Sequence, residues 1–141
     1  QLLGADFAGI TLGTSPLVVA PGMTAFAPEA GLQVGQALPA LLGGELDQLT
    51  DTAHGLALME VPTIDATRGQ PIRPTASLWV SPGGAHVFDA GTFAWTWGLD
   101  PRYAAALPGF PAVAFAHLTA QVIAWAGTPP RGSAGAFSSG P

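Results

Sequence analysis

Glycine and proline recur along the whole chain, and this most limits the elements it can form. The sequence holds 19 glycines and 14 prolines in 141 residues. Glycine loses the most backbone freedom on folding and proline cannot donate a backbone hydrogen bond, so both tend to interrupt helices and strands. We therefore expect frequent turns and short strands.

Four segments have the residue pattern of strands. Residues 16–20 are a β-branched run before a Pro-Gly turn signal, which predicts a buried strand. Residues 56–61 predict a strand that ends at a proline. Residues 76–80 and 85–89 flank the turn sequence SPGG, which predicts a hairpin.

The segments between these strands carry weaker signals. Residues 23–26 are interpreted as a second short extended piece. Within residues 31–51, helically spaced leucines are interrupted by Pro39 and a Gly-Gly pair, so a loop, a short helical turn and a tight turn are expected. Residues 63–74 are polar and proline-rich, which indicates a surface loop.

Residues 91–98 leave two alternatives open. Thr92 could cap the N-terminus of a helix, because its hydroxyl can accept from a free backbone N–H. The aromatic residues Phe93, Trp95 and Trp97 instead alternate, which favours an extended segment. The period alone does not decide between them.

The strongest helix signal covers residues 111–126. Pro111 suits a first turn, and four apolar side chains follow at spacings of three and four. Gly127 suits the C-terminal cap. We therefore place one domain at residues 1–127 and a tail rich in Gly, Ser and Pro at residues 128–141.

The chain has few side chains that favour water. Hydrophobic residues make up 48% and charged residues 9% of it, whereas roughly 25% charged is typical of globular domains. Such a composition is expected of a piece that covers its surface within a larger assembly. A surface made of Gly, Pro, Ala, Ser and Thr is the other explanation.

Charge argues against two classes of partner. The chain has no lysine, four scattered arginines and a net charge of −5. Nucleic acids and anionic membranes are bound by clustered basic residues, so neither is an expected partner. No apolar run reaches the ~20 residues of a membrane-spanning helix. The absence of cysteine rules out disulfides and thiolate chemistry, and leaves cytoplasmic and extracytoplasmic locations equally open.

The histidines show no metal-binding pattern. His54, His86 and His117 fall in a predicted loop, strand and helix, and none has an i, i+4 partner. A structural or surface role is the interpretation for each. The chain also lacks the G-x-S-x-G serine motif and glycine-rich phosphate loops. No catalytic, cofactor-binding or metal site is predicted within this chain.

Three carboxylates follow the Gly-Gly pair, at Glu45, Asp47 and Asp51. Paired carboxylates can perform acid–base chemistry or bind calcium, but a solvated turn explains them more simply. Glu60 lies within an apolar strand. It either faces an edge or pairs with Arg73 or Arg102.

Large aromatic residues concentrate in one third of the chain: Trp79, Phe88, Phe93, Trp95, Trp97 and Phe110. Such a cluster can line a ligand pocket. A buried core, in which each indole N–H finds a partner, is the preferred interpretation.

The most distinctive stretch is residues 86–92, followed by Trp95 and residues 97–100. It resembles the V-F-N-A-G-T/S-x-x-W-x-x-G-L ending of the N,N-dimethylformamidase large (beta) subunit-like family, with Asp89 where Asn is common. Residues 31–47 are similar to the family's G-L-x-x-G-D…L-x-G-Y-E-x-D segment, with Gln36 and Gly44 as departures. The resemblance covers roughly residues 17–126. The matching positions are Glu45, Asp47, Phe88, Asp89, Gly91, Thr92, Trp95 and Gly98, for which a structural role is expected.

The resemblance implies an α/β fold, in which this chain is the C-terminal portion of a three-layer class I glutamine amidotransferase-like domain without the cysteine nucleophile. It is expected to contribute short strands, a terminal hairpin and a C-terminal helix. For the family's true enzymes it implies hydrolysis of linear amides at one iron ion held by two tyrosines and a glutamate. Tyr103 lies outside any matching motif, so these ligands are expected upstream.

Two functions follow as hypotheses. In the first, this chain is a non-catalytic C-terminal fragment of a dimethylformamidase-like protein, partnered by the upstream polypeptide or sister subunits. The parent then hydrolyses amides or has lost that activity. In the alternative, it is a structural module of a larger complex, for example in the cell envelope. A chain that begins at Gln1 without Met suits the fragment hypothesis.

Overall fold

A computed structural model describes residues 4–128 of the chain. The elements follow in the order β1 (Ala5–Val19), α1 (Gly22–Phe26), a 3-10 turn (Pro28–Ala30), β2 (Ala37–Leu49), β3 (Gly55–Glu60), β4 (Thr63–Ile64), β5 (Pro71–Ile72), β6 (Thr75–Val80), β7 (His86–Asp89), α2 (Ala94–Trp97), α3 (Pro101–Ala106) and α4 (Ala112–Ala126). Of the predicted tail, only Thr128 is described, and residues 129–141 lie outside the described residues.

The main sheet has five strands in the order β2-β1-β3-β6-β7, and every pairing is antiparallel. The segment after β7 returns to the free edge of β2, where Leu46 and Thr92 form a bridge and Asp47 N–H donates to Gly91 C=O at 3.1 Å. The sheet is therefore nearly closed. Strands β4 and β5 form a separate small hairpin.

The expectation of short strands is wrong for β1 and β2, which have 15 and 13 residues. Their pairing shifts register between Phe7 and Gly9, between Thr11 and Thr14, and between Ser15 and Leu17. Bulges of this kind accommodate residues that cannot continue a ladder, as proline at position 16 cannot. Glycine and proline therefore bend these strands without ending them.

The loop predicted at the start of residues 31–51 is confirmed for residues 31–36, but the helical turn and the tight Gly-Gly turn are wrong, because residues 37–49 form β2. Ser15 pairs with Leu42 and Leu17 with Leu38, so β2 advances by four residues between these two pairs while β1 advances by two. The two extra residues allow Leu38, Leu41 and Leu42 all to be buried. Their helix-like spacing thus comes from a bulged strand.

Two further segments differ from expectation. Residues 23–26 are not extended but belong to α1, which covers β3. Residues 63–74 are not only a surface loop, because they include the β4–β5 hairpin and the buried Asp65. Helix α3 has no counterpart among the predicted elements. It starts at Asp100, whose carboxylate accepts from the N–H groups of Arg102 and Tyr103.

The other predicted elements are confirmed. The strand at residues 16–20 is the end of β1, that at 56–61 is β3, and the hairpin is β6–β7. For residues 91–98 the helical alternative is confirmed, because Ala94–Trp97 form α2. The C-terminal helix is α4, followed by Gly127.

The core lies between the curled sheet and the helices that cover it. It is built of leucines from β1, β2, β3 and β6, with Trp95 and the α4 side chains Phe115, Leu118 and Val122. Helix α4 packs on β7, and α2 packs on β2. None of the helices in residues 4–128 combines the length and the apolar character needed to cross a bilayer.

Candidate functional site

The family-like residues meet at the seam where the sheet closes. Thr92, buried at this point, accepts a hydrogen bond from Gly43 N–H and donates one to Gly43 C=O, both at 2.9 Å. Its hydroxyl also accepts from Ala94 N–H at 3.2 Å. One side chain thus joins β2 to the start of α2, and all of its hydrogen-bonding capacity is used.

Gly91 makes the turn into this seam possible. Its φ is 68°, and a Cβ at this position would overlap the carbonyl of Thr75. Asp89 Oδ1 accepts from Gly91 N–H at 2.8 Å, which closes the turn on itself. A larger residue at position 91 would have to displace β6.

The aromatic members of the motif face inward. Phe88 lies edge to face with Trp95 at 5.1 Å between ring centroids, and Trp95 contacts Phe115 at 4.7 Å. A Cβ on Gly98 would stand 2.7 Å from the Phe115 ring and 2.9 Å from Leu41. Gly98 therefore allows α2 to approach the core closely.

Carboxylates gather on the outer side of the seam. Burial raises the pKa of Asp47, and the negative charges of Asp89, Glu45 and Asp6 raise it further. Burial also raises the pKa of Asp89, against the opposing hydrogen bond from Gly91 N–H. Glu45 and Asp47 lie in strand β2, so the solvated turn expected for these two residues is wrong.

Asp51 does not join this group. Its carboxylate accepts from Trp79 Nε1 at 2.9 Å and contacts His54 Nδ1 at 3.0 Å. The hydrogen bond from Trp79 is the main cause of its lowered pKa, with a smaller effect of His54 in the same direction and an opposing effect of burial. The spacing of three residues between Asp51 and His54 was the available sequence signal for this pair. The link to Trp79 had none.

The other two histidines lie apart. His86 stacks on Trp125 with 4.3 Å between ring centroids, and its Nδ1 lies 2.9 Å from the Trp125 carbonyl oxygen. His117 is exposed on α4. Within residues 4–128, no group of three or more His, Asp or Glu side chains is placed to hold a metal ion.

Asp65 is a buried carboxylate that sequence reasoning missed. It accepts from Ile10 N–H at 3.1 Å and from Thr67, and Arg68 Nε lies 3.2 Å from its other oxygen. Burial opposes its ionisation, yet the hydrogen bonds and the charge of Arg68 outweigh burial and lower its pKa. These contacts fix the β4–β5 hairpin to β1. Nothing in the polar surroundings of position 65 distinguishes it in the sequence.

Glu60 pairs with Arg73, one of its two predicted partners, at 3.2 Å between Oε1 and Nη1. Both side chains are partly exposed. The pair borders a shallow groove beside β2 and β3, lined by Gln48, Leu49 and Thr75 among others. A partly exposed pair of this kind contributes little to stability.

The aromatic cluster is only partly core. Trp79 and Trp95 are buried, but Phe93 and Trp97 are 59% and 43% exposed, which corrects the expectation for these two. They stand one helical turn apart at either end of α2, on the face opposite Trp95. The buried indole N–H of Trp95 also lacks a hydrogen-bond partner among the described residues, contrary to expectation.

Comparison with known families gives one match. The family described as "N,N-dimethylformamidase beta subunit-like, C-terminal" matches residues 1–106, which include the whole seam. No curated protein and no solved structure matches the chain. On the family match, which covers most of its length, this chain belongs to the N,N-dimethylformamidase beta subunit-like C-terminal family.

Proposed function

We propose that this chain is a non-catalytic C-terminal domain of a longer dimethylformamidase-like protein. One observation carries the proposal: two polar side chains of the family motif, Thr92 and Asp89, are occupied in closing the sheet. The Thr92 hydroxyl is saturated by Gly43 and Ala94, and Asp89 closes the turn at Gly91. Groups committed to backbone hydrogen bonds are poorly available to a substrate.

Iron-dependent amide hydrolysis is proposed for the longer protein, with its ligands outside this chain. The residues here do not fit an iron held by tyrosines and a glutamate. The Tyr103 hydroxyl donates to Ala40 C=O at 3.0 Å, and Glu60 is paired with Arg73. No step of the reaction is therefore assigned to these side chains.

The three-layer glutamine amidotransferase-like arrangement is likewise proposed for the longer protein. In residues 4–128 every strand pair is antiparallel and the sheet is nearly closed. In this proposal the domain lies beside the layers of the larger fold and buries its surface against the upstream polypeptide or a sister subunit. The 9% content of charged residues supports such an internal position.

The test uses the full-length protein, assayed for bound iron and for hydrolysis of linear amides. Asp47→Asn, Asp89→Asn and Tyr103→Phe remove the best candidate groups of this chain while keeping their shape. We expect kcat and iron content to stay within about twofold of the unmodified protein. A fall in kcat of about 100-fold, at an unchanged melting temperature, would show that the domain takes part in the chemistry.

A structural module of a larger complex remains the second candidate, favoured by the scarcity of charged side chains. The same experiment separates the two. A full-length protein that holds no iron and hydrolyses no linear amide would support the structural role. An iron-containing, active protein with tolerant variants would support the domain of an enzyme.

A further inference from the structure

A shallow, open pocket lies between α2 and α3. It has a volume of about 320 Å³ and is lined by Trp97, Asp100 and Tyr103. The two aromatic rings meet at 61°, with 5.8 Å between their centroids, and so form two walls of a corner. The third wall carries the carboxylate.

Hydrogen bonds hold two of the three walls in place, and Trp97 contacts the Tyr103 ring. The Tyr103 hydroxyl donates to the carbonyl of Ala40 at 3.0 Å, which ties its ring to β2. Asp100 Oδ1 accepts from Arg102 N–H at 2.7 Å as the N-cap of α3. Tyr103 and Asp100 are therefore fixed before any ligand arrives, which limits the entropy that these two side chains lose on binding.

The chemistry of the three walls favours one class of ligand. The faces of indole and phenol rings are electron-rich and attract cations, and an ionised carboxylate adds a full negative charge. Alkylated ammonium groups suit such a site best, because their methyl groups pack on rings while the charge stays diffuse. An anion would meet the carboxylate.

We propose that the corner formed by Trp97, Asp100 and Tyr103 is a binding site for a small alkylated ammonium ion. The site does not depend on the function proposed above, because its three side chains take no part in the hydrogen bonds between Thr92 and Gly43. Arg102 is exposed two residues after Asp100, and its positive charge disfavours a cation nearby. Its removal should therefore strengthen binding, which distinguishes an electrostatic site from an apolar one.

The probe is choline, titrated into the full-length protein and followed by the NMR signal of the Trp97 indole N–H. The matched control ligand is 3,3-dimethylbutan-1-ol, which has the same shape without the charge. We expect choline to bind at least about threefold more tightly than this alcohol, as an exposed cation–π contact predicts. Equal affinity for the two would overturn the proposal.

Three variants sharpen the test. Asp100→Asn keeps a capping side chain but removes the charge, and should weaken choline binding about two- to fivefold. Arg102→Gln should strengthen it, by up to about twofold in low salt. Phe93→Leu alters an exposed aromatic residue that does not line the pocket, and it should leave the affinity for choline unchanged. Weakening by Arg102→Gln, or indifference to Asp100→Asn in a protein with unchanged melting temperature, would contradict the assignment.

Discussion

The hydroxyl of Thr92 bonds both backbone groups of Gly43, at 2.9 Å each, across 49 residues of sequence. A third hydrogen bond comes from Ala94 N–H. The two residues belong to separate parts of the family resemblance. Their contact explains why both parts occur in one domain, because neither can close the sheet alone.

Thr92→Val keeps the size of the side chain and removes the hydroxyl. Up to three buried backbone groups then lose their partner, so we expect the free energy of unfolding to fall by about 2–4 kcal/mol. Thr92→Ser keeps the hydroxyl and should lose only about 1 kcal/mol. Urea denaturation measures both.

The control for this pair is Thr96→Val, because Thr96 is exposed and its hydroxyl serves only Phe93 C=O in the described structure. Its expected change is within about 0.5 kcal/mol. A larger loss in Thr92→Ser than in Thr92→Val would mean that packing of the methyl group, and not the hydrogen bonds, holds the seam.

Gly9→Ala tests the close approach of β1 to the β4–β5 hairpin. An added Cβ would stand 2.6 Å from Cγ of Asp65, so one of the two must move. We expect a loss of about 1–3 kcal/mol in the free energy of unfolding, typical of overpacking. Gly83→Ala is the control, because its nearest neighbouring atom would lie at an ordinary 3.8 Å. A double variant with Asp65→Ala should lose less than the sum of its parts.

The carboxylates at the seam should make stability fall as pH rises. The folded pKa values of Asp47 and Asp89 are raised above the ordinary 3.8, so the folded chain binds more protons than the unfolded one in the window that starts there and extends upward. The slope of unfolding free energy against pH receives a negative contribution from both groups in that window. At neutral pH, burial of both ionised carboxylates, together with the like charges around Asp47, should cost a few tenths of a kcal/mol at this partly exposed site.

Asp47→Asn removes that contribution from one group. We expect the variant to be slightly more stable than the unmodified chain at pH 7 and to show a flatter fall between acidic and neutral pH. A steeper fall in Asp47→Asn would contradict the raised pKa.

Asp51 predicts the opposite dependence. Its folded pKa is lowered, mainly by the hydrogen bond from Trp79 Nε1, so its contribution is present above the ordinary pKa and lost as pH falls through the folded value. Asp51→Ala should lower the urea midpoint at pH 7, because the Trp79 N–H loses its acceptor. His54→Ala should change it little, since the His54 side chain is 60% exposed. A larger effect of His54→Ala would show that the imidazole, and not the indole, anchors this loop.

Local patterns predicted some elements because their signals do not depend on distant contacts. The SPGG turn brings β6 and β7 together over a few residues, and the apolar stripe of α4 with Gly127 at its end marks a helix on its own. For Glu60 the sequence left open an edge-facing position or a pair with Arg73 or Arg102, and only the fold selects the pair with Arg73. The order of the family motif pointed to the right family.

The lengths of β1 and β2 could not be predicted in the same way. Pro39 and the pair Gly43-Gly44 are breakers in any local scheme. In the fold they occupy bulges and the seam, where β1 on one side and Thr92 on the other supply the partners. The sequence also did not predict which face of α2 points into the core, because Phe93, Trp95 and Trp97 are all aromatic. Packing against Phe115 places Trp95 on the inward face.

The sequence by itself determined the family, the terminal hairpin, the last helix and the absence of thiol chemistry, since each depends on residue type and short-range spacing. The tertiary structure alone decided that the sheet nearly closes, that Asp65 is buried, and that Asp51 accepts a hydrogen bond from Trp79. These features are contacts between residues 28 to 55 positions apart. These contacts stabilise the protein only after the chain has brought both partners together, so a pattern of neighbouring residues does not predict them.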